Sequence, residues 1–113
     1  MKTQTKKRLL DALTAYQAVE TFVADHTFAD YEQNLMLRSV VKRQLEIIGE
    51  GLHKAEVDDP EVIDLLPELR RIVGMRNRII HGYDSVDDEL LWQTIQHNIP
   101  PLRDHLEQIL KAE

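Results

Sequence analysis

At 113 residues, 42% of them hydrophobic and 30% charged, the chain can build one apolar core, which excludes wholesale disorder. Fourteen Lys and Arg stand against 20 Asp and Glu, a formal net charge of −6, so indiscriminate electrostatic attachment to nucleic acid is disfavoured and any such site must be a local basic patch. The absence of cysteine excludes disulfides, thiolate metal sites and cysteine nucleophiles, leaving histidine and carboxylate chemistry.

From Thr5 to about Asp25, Leu9, Ala12, Leu13, Tyr16, Val19 and Val23 recur at intervals of three and four, the pattern of an amphipathic helix. Thr27 or Asp30 is placed to cap a second, longer helix reaching about Ala55, with Leu37, Val41, Leu45, Ile48 and Leu52 as its buried stripe. Gly49 and Gly51 interrupt that stripe. A glycine inside a helix is about 1 kcal/mol worse than alanine, so the pair marks either a close approach of another backbone or a fraying helix end.

Asp58-Asp59-Pro60 reads as a turn and a capped helical start, with proline at the first helical position and a short helix to about Leu65. Pro67 opens the next helix, in which Leu69, Ile72, Val73, Ile79 and Ile80 supply apolar contacts and Gly82 a stop. Asp87 caps a helix carrying Leu90, Leu91 and Ile95, and Pro100-Pro101 breaks it before Leu102, Leu106, Ile109 and Leu110 resume the pattern. This last stretch is two helices or one kinked helix. No segment alternates with period two and there is no repeat or Gly/Ser linker, so the expected architecture is an all-α bundle forming a single domain over residues 1–113. No apolar run approaches the roughly 20 residues that cross a bilayer, and the polar start leads into no signal-like stretch. A cytoplasmic protein with no membrane association is expected.

Chemistry concentrates in Arg76-Asn77-Arg78-Ile79-Ile80-His81-Gly82-Tyr83. An arginine that keeps its charge can hold a phosphate, and a histidine titrating near neutrality can move a proton. Arg76 and His81, five apart, differ by about 140° around an ideal helix and do not share a face, whereas Asn77 and His81, four apart, do. Either the long arginine bends toward the histidine or a two-fold partner brings a second pair opposite the first, and the dimeric arrangement is preferred. His81 falls at the end of its helix, where it is equally suited to capping free carbonyls. Tyr83 is a packed loop aromatic or an exposed hydroxyl open to modification. Arg70, Arg71, Arg76 and Arg78 lie within nine residues that contain no acid, as a solvated face or a basic patch.

Other signals are bland. Glu46 and Glu50, with Lys42 and Lys54, form a charge ladder at helical spacing. His26, His53, His97 and His105 show no ligand spacing, and no nucleotide-binding or serine-hydrolase motif occurs, so neither a metal nor a cofactor is expected. With only one Trp, three Tyr and two Phe, a platform stacking several bases is not expected.

The segment R-N-R-I-I-H-G-Y resembles the R-x4-H-x-Y motif of HepT-like toxins, a branch of the HEPN ribonuclease superfamily. Ile47-Ile48-Gly49-Glu50 on the long second helix, the proline-led helix into the motif, and the aspartate-rich turn before Leu91-Trp92 extend the resemblance over about residues 8–110. The resemblance implies a HEPN-like bundle of four to six helices, homodimeric, with the motifs of both protomers facing one cleft. It further implies metal-independent endoribonuclease activity leaving a 2′,3′-cyclic phosphate, with His81 as general base or acid and Arg76 stabilising charge on the phosphoryl group. Asn77 and Arg78 would support and orient the substrate, and Arg70 and Arg71 become candidates for RNA contact. HepT-like toxins pair with an MNT-type nucleotidyltransferase antitoxin that attaches AMP to the motif tyrosine, here Tyr83. The alternative expectation is a non-catalytic helical module that docks the nucleotidyltransferase.

Overall fold

A computed structural model describes residues 1–81 and 87–112. Among the described residues there are seven helices and no strand: α1 (Thr3–Val23), α2 (Phe28–Gln33), α3 (Leu35–Asp58), α4 (Val62–Leu65), α5 (Leu69–Ile80), α6 (Asp88–His97) and α7 (Ile99–Ala112). The all-α expectation holds, with more helices than the four to six anticipated.

The extra helices arise at two places. The predicted long second helix is divided at Asn34, whose extended backbone ends α2 while its side-chain oxygen accepts the Leu37 N–H at 3.0 Å and starts α3. Upstream, Thr27 and Asp30 form a reciprocal capping box, so both candidate caps serve the short helix. The predicted apolar stripe, Leu37 to Leu52, lies wholly within α3, so the division falls ahead of it, where Asn34 supplies a second cap seven residues after Thr27. The second division is at Asn98, which separates α6 from α7 and settles the proline pair: Pro100 and Pro101 occupy the first turn of α7, where their missing N–H groups are not needed.

The Asp58-Asp59-Pro60 turn differs from expectation. Pro60 precedes α4 rather than opening it, and Asp59 does not cap that helix. Its carboxylate, 8% exposed, instead accepts from the Thr5 hydroxyl at 2.5 Å and the Lys2 N–H at 3.0 Å, fastening the start of α1 to the end of α3. A cap to a distant helix is invisible to local spacing.

α3 is the central element. α1 runs antiparallel along one side of it, joined near Asp59 at one end, and α5 runs antiparallel along another, with Arg70 beside Glu56 and Arg76 beside Gly49. Leu37, Val41, Leu45, Ile48 and Leu52 are buried as predicted, with Leu9, Ala12, Tyr16 and Val19 from α1 and Leu69 and Ile72 from α5. The paired glycines explain how helices pack so closely. A Cβ on Gly49 would lie 2.3 Å from Arg76 Cβ, and one on Gly51 would lie 3.0 Å from the Arg8 carbonyl, so one faces α5 and the other α1. The close-approach reading of these glycines is the correct one.

α6 and α7 close the bundle. Tyr31, fully buried, packs its ring 5.3 Å from that of Trp92, with Phe28 stacked beside it, and so fixes α6 against α2. Lys42 of α3 reaches Asp88 of α6 at 3.3 Å, leaving the predicted ladder on α3. Arg103 of α7 bonds Glu20 of α1 at 2.9 Å and lies over the Tyr16 ring, whose phenol is pushed up to about 12, by burial first and then by Glu20. Ile80, expected in the apolar set, is 45% exposed because it follows the last buried turn of α5. Among the described residues no helix is long and apolar enough to cross a membrane.

Candidate active site

The site is carried by α5, and its geometry starts from Gly49. Because nothing projects from α3 at that position, α5 sits down onto α3 with the Cβ of Arg76 directly over the glycine. The arginine stem is therefore clamped, and its Nε is buried with no hydrogen-bond partner among the described residues. The remaining fork emerges at the surface, where Nη1 donates to Asn77 Oδ1 at 2.8 Å. That bond ties the guanidinium to the neighbouring amide.

His81 is the C-cap of α5, its backbone N–H donating to the Asn77 carbonyl at 3.1 Å, and its side chain is exposed. Asn77 is thus the link between the two motif residues: its side chain holds Arg76 and its carbonyl holds His81 one turn on. The helix ends at Ile80. Tyr83 and Gly82 lie outside the described residues.

Glu50 was missed as a neighbour of this site. Read from sequence as part of a charge ladder, it does pair with Lys54 at 3.1 Å, and that lysine chiefly lowers its pKa, but Arg76 contributes to the same shift. The available signal was its place next to Gly49, the residue over which Arg76 packs. The predicted basic residues then divide. Arg70 bonds Glu56 at 3.0 Å, whereas Arg71 and Arg78 have no carboxylate partner among the described residues. Arg70, Arg71 and Arg78 line a groove between α5 and α6, around the helix from Arg76. Among the described residues no three His, Asp or Glu side chains come together as a metal site.

What this arrangement offers chemically is a charged hydrogen-bond fork, fixed by packing and by an amide, one turn from an exposed imidazole. Comparison with known proteins assigns the chain to a family. Residues 12–109 match the family described as Ribonuclease HepT-like, and the chain belongs to it. Among curated relatives, it is 32% identical over 111 residues to the "Probable ribonuclease HepT" of Thermococcus cleftensis, covering 98% of this chain and 100% of that one. It is 31% identical over 110 residues to "Putative RNase MJ0125" of Methanocaldococcus jannaschii, covering 97% and 94% respectively. A second protein of that archaeon, "Putative RNase MJ1380", is 33% identical over 106 residues, with 94% and 96% covered. No solved structure matches.

Proposed function

We propose that the chain is a metal-independent endoribonuclease, the toxin of a toxin–antitoxin pair, acting in the cytoplasm as a homodimer whose two copies of Arg76 and His81 meet at one cleft. The observation that carries the reading is the clamping of Arg76: a helix-interior glycine, unfavourable in itself, is spent on seating the arginine whose outer face is then oriented by Asn77. Membership of the ribonuclease family supports RNA as substrate.

In the proposed reaction one His81 removes the proton from the ribose 2′-hydroxyl. The freed oxygen attacks the adjacent phosphorus, and the bond to the 5′-oxygen of the next nucleotide breaks. The His81 of the second protomer returns a proton to that leaving oxygen, and the product keeps a 2′,3′-cyclic phosphate. Arg76 stabilises the charge that builds on the non-bridging oxygens, where a fixed donor acts more strongly than mobile water. Asn77 positions Arg76, and Arg78, one residue further, supports the same strand. A dimer supplies the second imidazole that a single α5 lacks, since Arg76 and His81 point about 140° apart on one helix.

Neutralisation is proposed to run through an MNT-type nucleotidyltransferase. The Tyr83 oxygen attacks the α-phosphorus of ATP, pyrophosphate leaves, and the attached AMP places negative charge beside the cleft, repelling RNA.

The test is to incubate the purified chain with total RNA in EDTA and map the ends. Cleavage is expected, with His81→Ala and Arg76→Ala each reducing it by about 10²-fold or more. Intact RNA, or cutting that survives His81→Ala, sinks the assignment. Mass spectrometry after co-expression with the nucleotidyltransferase should find AMP on Tyr83, and its absence removes that mode of neutralisation.

A further inference from the structure

Beside the catalytic constellation, the space between α5 and α6 forms a groove of about 250 Å³, walled by Arg70, Arg71, Gly74 and Arg78 on one side and Leu90 and Thr94 on the other. We propose that this groove seats the phosphodiester backbone of the RNA strand flanking the scissile linkage, an inference that rests on the ribonuclease reading above.

Charge is the first argument. In a chain of net charge −6, the groove is lined by no carboxylate among the described residues. Its three arginines are not equivalent. Arg70 is already neutralised by Glu56 at 3.0 Å, which leaves Arg71 and Arg78 as the cations available to a phosphate. Of the three acids that open α6, Asp87 accepts the Glu89 and Leu90 N–H groups of its own helix, Asp88 pairs with Lys42, and Glu89 is not among the described residues that line the groove.

Gly74 supplies a second, independent observation. A Cβ built there meets nothing within 4 Å, unlike Gly49 and Gly51, so among the described residues no contact calls for a glycine. Glycine in mid-helix is nonetheless unfavourable relative to alanine. Its benefit therefore lies outside the described chain, in keeping the arginine wall of the groove open to something that comes close. Among the described residues no aromatic side chain lines the groove and the Thr94 hydroxyl is bonded to the Leu90 carbonyl at 2.9 Å, so these residues offer nothing to stack on a base and little with which to read one. A phosphate-and-sugar backbone is what it fits. Finally, Gly74, Arg78 and His81 follow at spacings of four and three along one side of α5, so the groove leads to the imidazole at the helix end.

The experiment uses the full chain carrying His81→Ala, so that RNA survives, and a fluorescein-labelled single-stranded RNA of mixed sequence, read by anisotropy across a salt series. Adding Arg71→Gln and Arg78→Gln should weaken binding on the order of tenfold at low salt, and make the slope of log K against log salt shallower by about 1.4. Gly74→Leu should weaken binding similarly while leaving the thermal midpoint unchanged or higher. RNAs of different sequence should respond alike. Unchanged affinity and slope in the double arginine variant overturn the groove, as does a chain that binds no RNA at all. If Gly74→Leu alters the solution mass by light scattering and not the RNA affinity, the groove belongs to a second copy of the chain and the proposal is wrong. In parallel, uncut RNA with the unsubstituted chain defeats the ribonuclease reading, whereas cutting combined with unaffected binding defeats the groove alone.

Discussion

Replacing Gly49 by alanine probes fold and site at once. The new methyl would lie 2.3 Å from Arg76 Cβ and 2.9 Å from its Cγ, with the Ile72 carbonyl at 3.2 Å, whereas ordinary contact begins at 3.4 Å. None of these is the free end of a side chain, so α5 must move away from α3 by about 1 Å in a core packed like a molecular crystal. Overpacking costs about 1–3 kcal/mol, and a contact this short belongs at the top of that range. Alanine's better helix propensity offsets about 1 kcal/mol, leaving a net loss of about 2 kcal/mol. For a domain of this size that lowers the thermal midpoint by about 8 °C. A shift of about 1 Å in a catalytic group can lower turnover about 10²-fold, so RNA cleavage should fall by that order even where the variant is fully folded. Circular dichroism melts and cleavage rates at a temperature below both transitions measure the two effects. Gly51→Ala is the control, since its methyl would meet the Arg8 carbonyl at 3.0 Å and does not touch Arg76. Its cleavage should be unaltered and its stability within about 1 kcal/mol of the parent. A Gly49→Ala midpoint at or above the parent's would refute the close-approach argument. A lowered midpoint with parental cleavage would instead break the link between Gly49 and the site.

Asn77→Ala removes the acceptor for Arg76 at an exposed position, so stability should change by no more than about 0.5 kcal/mol while cleavage drops on the order of tenfold. The same change made in an Arg76→Ala background should have little further effect, and full additivity would contradict the positioning role. Asn34→Ala removes the side-chain cap that starts α3 and should lower the thermal midpoint by about 4 °C, from a loss of about 1 kcal/mol; an unchanged melt would show that the α2–α3 division does not depend on it. Asp59 gives a pH prediction. Hydrogen bonds from Thr5 first and Lys2 second hold its carboxyl below the usual range, so its contribution is fully present above the unfolded value of about 3.9 and is lost as pH falls through the lower folded value. Urea midpoints measured from pH 5 downward should therefore fall more steeply for the parent than for Asp59→Asn, and parallel curves would remove Asp59 from the account.

Local physics in the sequence reached a long way. Leu37, Val41, Leu45, Ile48 and Leu52 lie buried on α3 because a 3.6-residue period with one apolar face has few other solutions, and Asp87 caps α6 because its donors are two and three residues away. The candidate site residues rest on residue type and on the resemblance of R-N-R-I-I-H-G-Y to a known motif, since helical spacing alone puts Arg76 and His81 on different faces. Gly49 and Gly51 marked, through their cost, either close packing or a fraying helix end, without telling which or which helix came near.

Relations between distant segments were decided by tertiary structure alone. Asp59 found its partners more than fifty residues upstream, where no local spacing points. The same holds for the arginines. Four cations in nine residues look alike as a string, yet packing seats Arg76 over Gly49, pairs Arg70 with Glu56 and leaves Arg71 and Arg78 facing a groove. Sequence sets which groups a chain can offer because residue chemistry is local; only the fold sets which of them meet, because the desolvation and pairing that distinguish them depend on neighbours brought from elsewhere.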